Sequence, residues 1–210
     1  MSKRTATWLA WTMCALSLAL TTLSLVLLYL NYHLGVRIYD YWLENTVFAV
    51  SFSIAGAIIA PRLPNHPIGW LFCAIGLLVG LVSHFTGQYA IYTILAAPGL
   101  LPGGEVAAWV SSWAWILPNI GLLLFLLLLF PTGTLPSSRW KWVAWLTIAV
   151  TLVGVVSSAL SCGTVSGLGT IQNPVCIEGF YNIYYGSWSY LVGVTFFGAA
   201  ASQFVRMRRA

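Results

Sequence analysis

Long apolar runs separated by short clusters of charge and proline set the pattern of this chain. The segments free of Lys, Arg, Asp and Glu are 5–36, 45–61, 63–104, 106–138, 142–177 and 179–205. A helix needs about 20 mostly apolar residues to cross the hydrocarbon core of a bilayer. Each segment holds one such span, the second only by reaching into Tyr41 and Trp42. The pattern predicts an all-α integral membrane protein, a single transmembrane domain over 1–210, with six helices near 8–30, 42–60, 68–92, 106–130, 142–160 and 187–204. A transmembrane barrel is excluded, since its strands are runs of about 10 alternating residues.

Composition narrows the class further. Hydrophobic residues make up 60% of the 210, charged ones 6%, and the mean hydropathy is +0.88. A soluble domain carries about a quarter of its residues charged. These values exclude a disordered chain, a soluble enzyme and a nucleic-acid binder. The net charge of +5 is accounted for by topology and anionic lipid.

Numbering ends and loops alternately puts Lys3, Arg4, Arg62, Arg139, Lys141, Arg206, Arg208 and Arg209 on one side. Arg37 falls on the other, with all four acids, Asp40, Glu44, Glu105 and Glu178. By the positive-inside rule both termini are expected to be cytoplasmic, in a multi-pass protein of a plasma membrane. The apolar run after Lys3 and Arg4 reaches Leu30 with no small-residue cleavage site, and reads as a retained first helix. Trp8, Trp11, Trp70, Trp140, Trp142 and Trp145 are placed at inner ends, and Trp42, Trp109, Trp113 and Trp188 at outer ones. An interfacial belt has this distribution, and aromatic packing at helix ends would have nearly the same one.

The inner loops are stiff. Pro61, Pro64 and Pro67 are expected to end the second helix, with Pro67 in the first turn of the third. Pro131 and Pro136 bracket the second inner loop, and the longest outer loop is placed at 161–186. Cys162 and Cys176 share that outer loop, where a disulfide can form; bridged and free states both remain open. Cys14 and Cys73 read as small buried hydrophobes.

No charged residue lies deep in any expected span, which argues against pumps, ion-coupled transporters and voltage sensors. No metal-ligand, nucleophile-elbow or phosphate-loop motif occurs, and no cofactor is implied. Gly69, Cys73, Gly76 and Gly80 form a small-residue stripe that His84 continues, so His84 is expected to face protein. It reads first as a packing histidine and second as a ligand- or proton-sensing group. Ser112 and Asn119 are further candidates for such a site. Counting about 1.5 Å per residue puts His84 roughly 24 Å above Ile68 and Asn119 roughly 10 Å above the inner boundary, so the two are not expected to touch. Ser111 and Ser112 come nearer the depth of His84, and Pro118 is expected to kink the fourth helix.

Four short motifs carry a resemblance. They are Asn65-His66-Pro67-Ile68-Gly69-Trp70, Gln88-Tyr89-Ala90-Ile91-Tyr92, Ala97-Pro98-Gly99-Leu100-Leu101-Pro102-Gly103 and Phe130-Pro131-Thr132-Gly133-Thr134-Leu135-Pro136-Ser137-Ser138-Arg139-Trp140. Over 45–209 the chain resembles the N-terminal multi-helix membrane region of bacterial sensor histidine kinases. Asn65, Pro67, Gly69, Trp70, Pro131, Gly133, Pro136, Arg139 and Trp140 carry the most specific parts, and none is catalytic. The family usually has Arg at the positions of Thr134 and Ser138. It continues beyond the last arginines into a phosphoacceptor helix and an ATP-binding domain, whose motifs this chain lacks. The resemblance therefore implies a non-catalytic sensing or signal-coupling module, with no phosphoacceptor among His33, His66 and His84. Its expected partners are membrane lipids and a histidine kinase or a second copy, and no nucleic acid. A small membrane protein binding or transporting a lipid or quinone, and a truncated gene product without independent role, are the alternatives.

Overall fold

The computed structural model describes residues 2–36, 41–164 and 171–208. Arg37, Asp40 and Arg209, used above for the charge asymmetry, lie outside them. The described residues are helical, with two isolated bridges, Ser161 to Ile177 and Thr164 to Gln172, in place of any strand. The helices are α1 (Lys3–His33), α2 (Trp42–Arg62), α3 (Pro67–Ala96), α4 (Gly104–Leu129), α5 (Ser138–Leu160) and α6 (180–207). Of these, α1 to α5 are long and apolar enough to cross a membrane.

The helices overrun most of the expected bounds. At the α2 end, Pro61 sits inside the last turn and the helix closes only after Arg62. A proline there deletes one N–H and leaves the preceding turns intact. At the other end of the chain, helix begins at Phe180 behind Gly179 in the left-handed conformation, φ +94°. The loop expected over 161–186 is therefore shorter. Its described parts are tied down by the Cys162–Cys176 disulfide, Cα–Cα 4.6 Å, and by Asn173 Nδ2 donating to the carbonyls of Ala159 and Ser161.

Small residues dictate how α1, α2 and α3 assemble. The buried face of α1 runs Ala6, Ala10, Cys14, Ser17, Thr21 and Ser24, and that of α2 includes Ala49, Ser53, Gly56 and Ala60. The glycine stripe of α3 meets the latter at backbone distance. A Cβ on Gly69 would lie 2.7 Å from Ala60 N, and one on Gly76 2.5 Å from Ser53 N. A Cβ on Gly56 of α2 would likewise lie 2.5 Å from Cys73 N. Without hydrophobic drive between helices in lipid, close backbone approach and dispersion hold such a unit. The G-x-x-x-G of Gly76 and Gly80 is thus spent inside the molecule.

The second half of the chain uses bulk. Trp188 of α6 is 7% exposed, with Nε1 donating to Val150 O at 2.9 Å and the ring stacked on Tyr184. Its indole occupies the space a Cβ on Gly154 would need. Of the two readings of the helix-end tryptophans, belt or packing, Trp188 follows the second: it is a packing wedge between α5 and α6. Trp8, Trp11, Trp142 and Trp145 are exposed around the end of the molecule that carries Lys3, Arg62 and Lys141, called the basic end below.

Candidate functional site

A layer of polar side chains crosses the interior where α1 to α4 meet. Its frame is irregular helix. Residues Val79–Phe85 of α3 and Leu117–Leu122 of α4 are π-helical. In α4 the cause is legible: Pro118 has no N–H and its ring crowds the carbonyl four residues earlier, so the ladder widens. At Pro118, where a kink is expected, the structure has this π turn.

His84 lies within the α3 π segment and is fully buried. Its Nε2 is 3.1 Å from Thr46 Oγ1 on α2. The single Thr46 hydroxyl proton goes to Trp42 O at 2.7 Å. Thr46 can then only accept from His84, which assigns the proton to Nε2 and leaves Nδ1 a bare acceptor. Next to it, Ser83 O accepts from Asn45 Nδ2 at 3.3 Å, and Ser83 Oγ accepts from Asn119 Nδ2 at 3.1 Å. One turn further, Asn31 Nδ2 of α1 donates to the carbonyl and the side-chain oxygen of Gln88, at 3.2 and 3.1 Å.

Asn119 thus reaches Ser83, the residue before His84, and not His84 itself; Asn119 and His84 stand closer in depth than expected from residue counting, though the bond does not join them directly. That expectation measured α3 from its basic end and α4 from its opposite end, although both are longer than a bilayer core. Counted from the loop that joins them, Ser83 and Asn119 stand roughly 14 and 16 residues away, about 21 and 24 Å. Ser112 is not part of the layer. Its hydroxyl donates to Trp109 O, and its carbonyl accepts from Ser158 Oγ of α5 and from Trp115 Nε1.

Sequence reasoning did not place Asn31, Asn45, Thr46 and Ser83 in this site, and named Gln88 as part of a motif. Asn31 had a signal, since it stands seven residues beyond Ser24 on the small-residue face of α1. Asn45 and Thr46, at the start of a helix, look in sequence like residues of a wet helix end.

Two of the motifs, 65–70 and 130–140, form a second cluster at the basic end. Trp70 Nε1 donates to Pro64 O at 3.0 Å, closing the first loop on α3. Gly133 has φ +73°, and a Cβ on it would lie 2.8 Å from Pro67 Cδ and 2.9 Å from His66 Nε2. The two loops are thus in contact. The α6 end is held by the end of α4 and the second loop: Gln203 Nε2 donates to Leu127 O and Phe130 O, and Arg206 donates to Leu128 O, Thr132 Oγ1 and Thr134 O. Asn65, Pro131 and Arg139 are exposed, Pro136 and Trp140 half-buried. No group of three or more His, Cys, Asp or Glu able to hold a metal occurs among the described residues.

Comparison of the chain with protein-family models, with curated proteins and with solved structures finds no match in any of the three.

Proposed function

We propose that this chain is a membrane-embedded sensing and signal-coupling module, itself non-catalytic, of the kind that stands before the kinase domains of bacterial sensor histidine kinases. In this reading it crosses the plasma membrane six times with both termini in the cytoplasm. The sixth span would be α6, whose Ser189–Met207 portion alone is about 28 Å long; its exposed Tyr190, Val194, Phe197 and Phe204 support a lipid-facing side.

The observation that carries the proposal is the clamp on Arg206. The loop that holds the end of α6, through Thr132 and Thr134, rests through Gly133 on His66 and Pro67, between α2 and α3. A rearrangement of α2 and α3 therefore reaches the end of α6 through hydrogen bonds and packed backbone, without a long lever. That end is where a kinase partner would receive a signal.

The test is in-membrane photocross-linking from position 207 in the native host, followed by identification of the captured protein. Capture of a histidine kinase, lost or redistributed in Arg206→Ala, supports the proposal. A stoichiometric lipid or quinone retained through purification, with no kinase captured, overturns it in favour of apolar-ligand binding.

A further inference from the structure

Three buried polar atoms on α1 and α3 make no hydrogen bond: Ser24 Oγ, Asn31 Oδ1 and His84 Nδ1. Their residues are at most 3% exposed. The two helices run parallel in a register given by their contacts. Ser17 Oγ bonds to Gly76 O, a Cβ on Gly80 would meet Ser17 and Thr21, and Asn31 bonds to Gln88. One turn beyond Thr21 and one turn beyond Gly80 stand Ser24 and His84, which are therefore level across the seam.

The deficit has a chemical sense. His84 Nδ1 is an acceptor, because the ring proton is committed to Thr46. Asn31 Oδ1 is a second acceptor, its amide nitrogen being engaged by Gln88. Ser24 supplies a hydroxyl that can donate or accept. A bare buried acceptor bears the full penalty of lost solvation, and a bilayer interior has no solvent to relieve it. The missing partner is a donor. It must also be small, because nearby Ser17 Oγ bonds to Gly76 O and a Cβ on Gly80 would lie 3.3 Å from Ser17 O.

We propose that the α1–α3 seam binds a small neutral O–H donor, a water molecule, which donates to His84 Nδ1 and accepts from the hydroxyl of Ser24. The bound molecule completes the coordination of His84, whose other nitrogen is fixed by α2, so the imidazole ties three helices together. Two to four polar partners are what a buried water requires. The hydroxyl of an amphiphile would satisfy the same chemistry, and the experiment separates the two sources.

The full chain in lipid nanodiscs is labelled with ¹⁵N-histidine and studied by water-edited solid-state NMR, with a density map of the same sample. The expected result is rapid transfer of water magnetisation to His84 Nδ1 and a compact peak about 2.6–3.2 Å from Nδ1 and from Ser24 Oγ. Ser24→Val, which fills the position with methyl groups, should abolish both while the His84 Nε2 resonance persists. Elongated density continuing from the peak, with a co-purifying hydroxylated lipid, keeps the O–H donor and replaces water as its source. Absence of any peak, or Ser24 Oγ directly bonded to Nδ1, overturns the proposal.

Discussion

Ser17 Oγ donates to the main-chain carbonyl of Gly76 at 2.9 Å. A serine can reach the backbone of a neighbouring helix only if that helix presents no side chain at the point of contact. Gly76 provides that opening on one face and approaches Ser53 of α2 on another. Three helices therefore meet around one glycine, and the polar layer above them inherits its register from this contact.

Gly76→Ala should destabilise the protein by about 1–3 kcal/mol, the usual cost of overpacking, because the new methyl collides with Ser53 backbone. Gly193→Ala on α6, where nothing lies within 4 Å, should leave stability unchanged. Thermal unfolding in detergent compares the two, and equal melting temperatures would refute the packing argument.

Thr46→Val removes the acceptor of His84 Nε2 and should cost about 1–3 kcal/mol. Combining it with His84→Leu should recover part of that loss, since both polar partners are then gone. A double-mutant cycle measures the coupling, and strictly additive effects would show that the bond contributes nothing.

Ser83→Cys with Asn119→Cys should form a disulfide on mild oxidation, because the native side chains are in hydrogen-bond contact at 3.1 Å. Adding Pro118→Ala, which lets the π turn Leu117–Leu122 relax toward a regular α-helix, should lower the cross-linking yield. Equal yields with and without Pro118 would mean that the π turn does not set the register.

Reducing the Cys162–Cys176 bridge should expose the segment it closes to protease. In the chain-entropy account a loop of 14 residues is stabilised by about 3 kcal/mol. Limited proteolysis of the oxidised and reduced protein reads this directly, with cleavage expected between 161 and 179 only in the reduced sample. Identical digestion patterns would assign the fold of the segment to Asn173 and its carbonyl contacts alone.

The sequence by itself determined that the chain is helical and apolar, and where its helices are interrupted. The hydrophobic runs are long, and the breaks at Pro64, Pro98 and Pro131 are enforced by backbone chemistry local to each position. It also showed that His84 shares a stripe with Gly76 and Gly80, because helical periodicity is a local property. What only the tertiary structure decided is which side chains meet. Depth counted along one helix does not transfer to another when both exceed the bilayer in length and carry π turns, so Asn119 met Ser83 and Ser112 turned to α5. Asn31, Asn45 and Thr46 joined the site because parallel and antiparallel neighbours bring distant helix ends to one level. Trp188 went to the interior for a similar reason: the space beside Gly154 exists only once α5 and α6 are side by side.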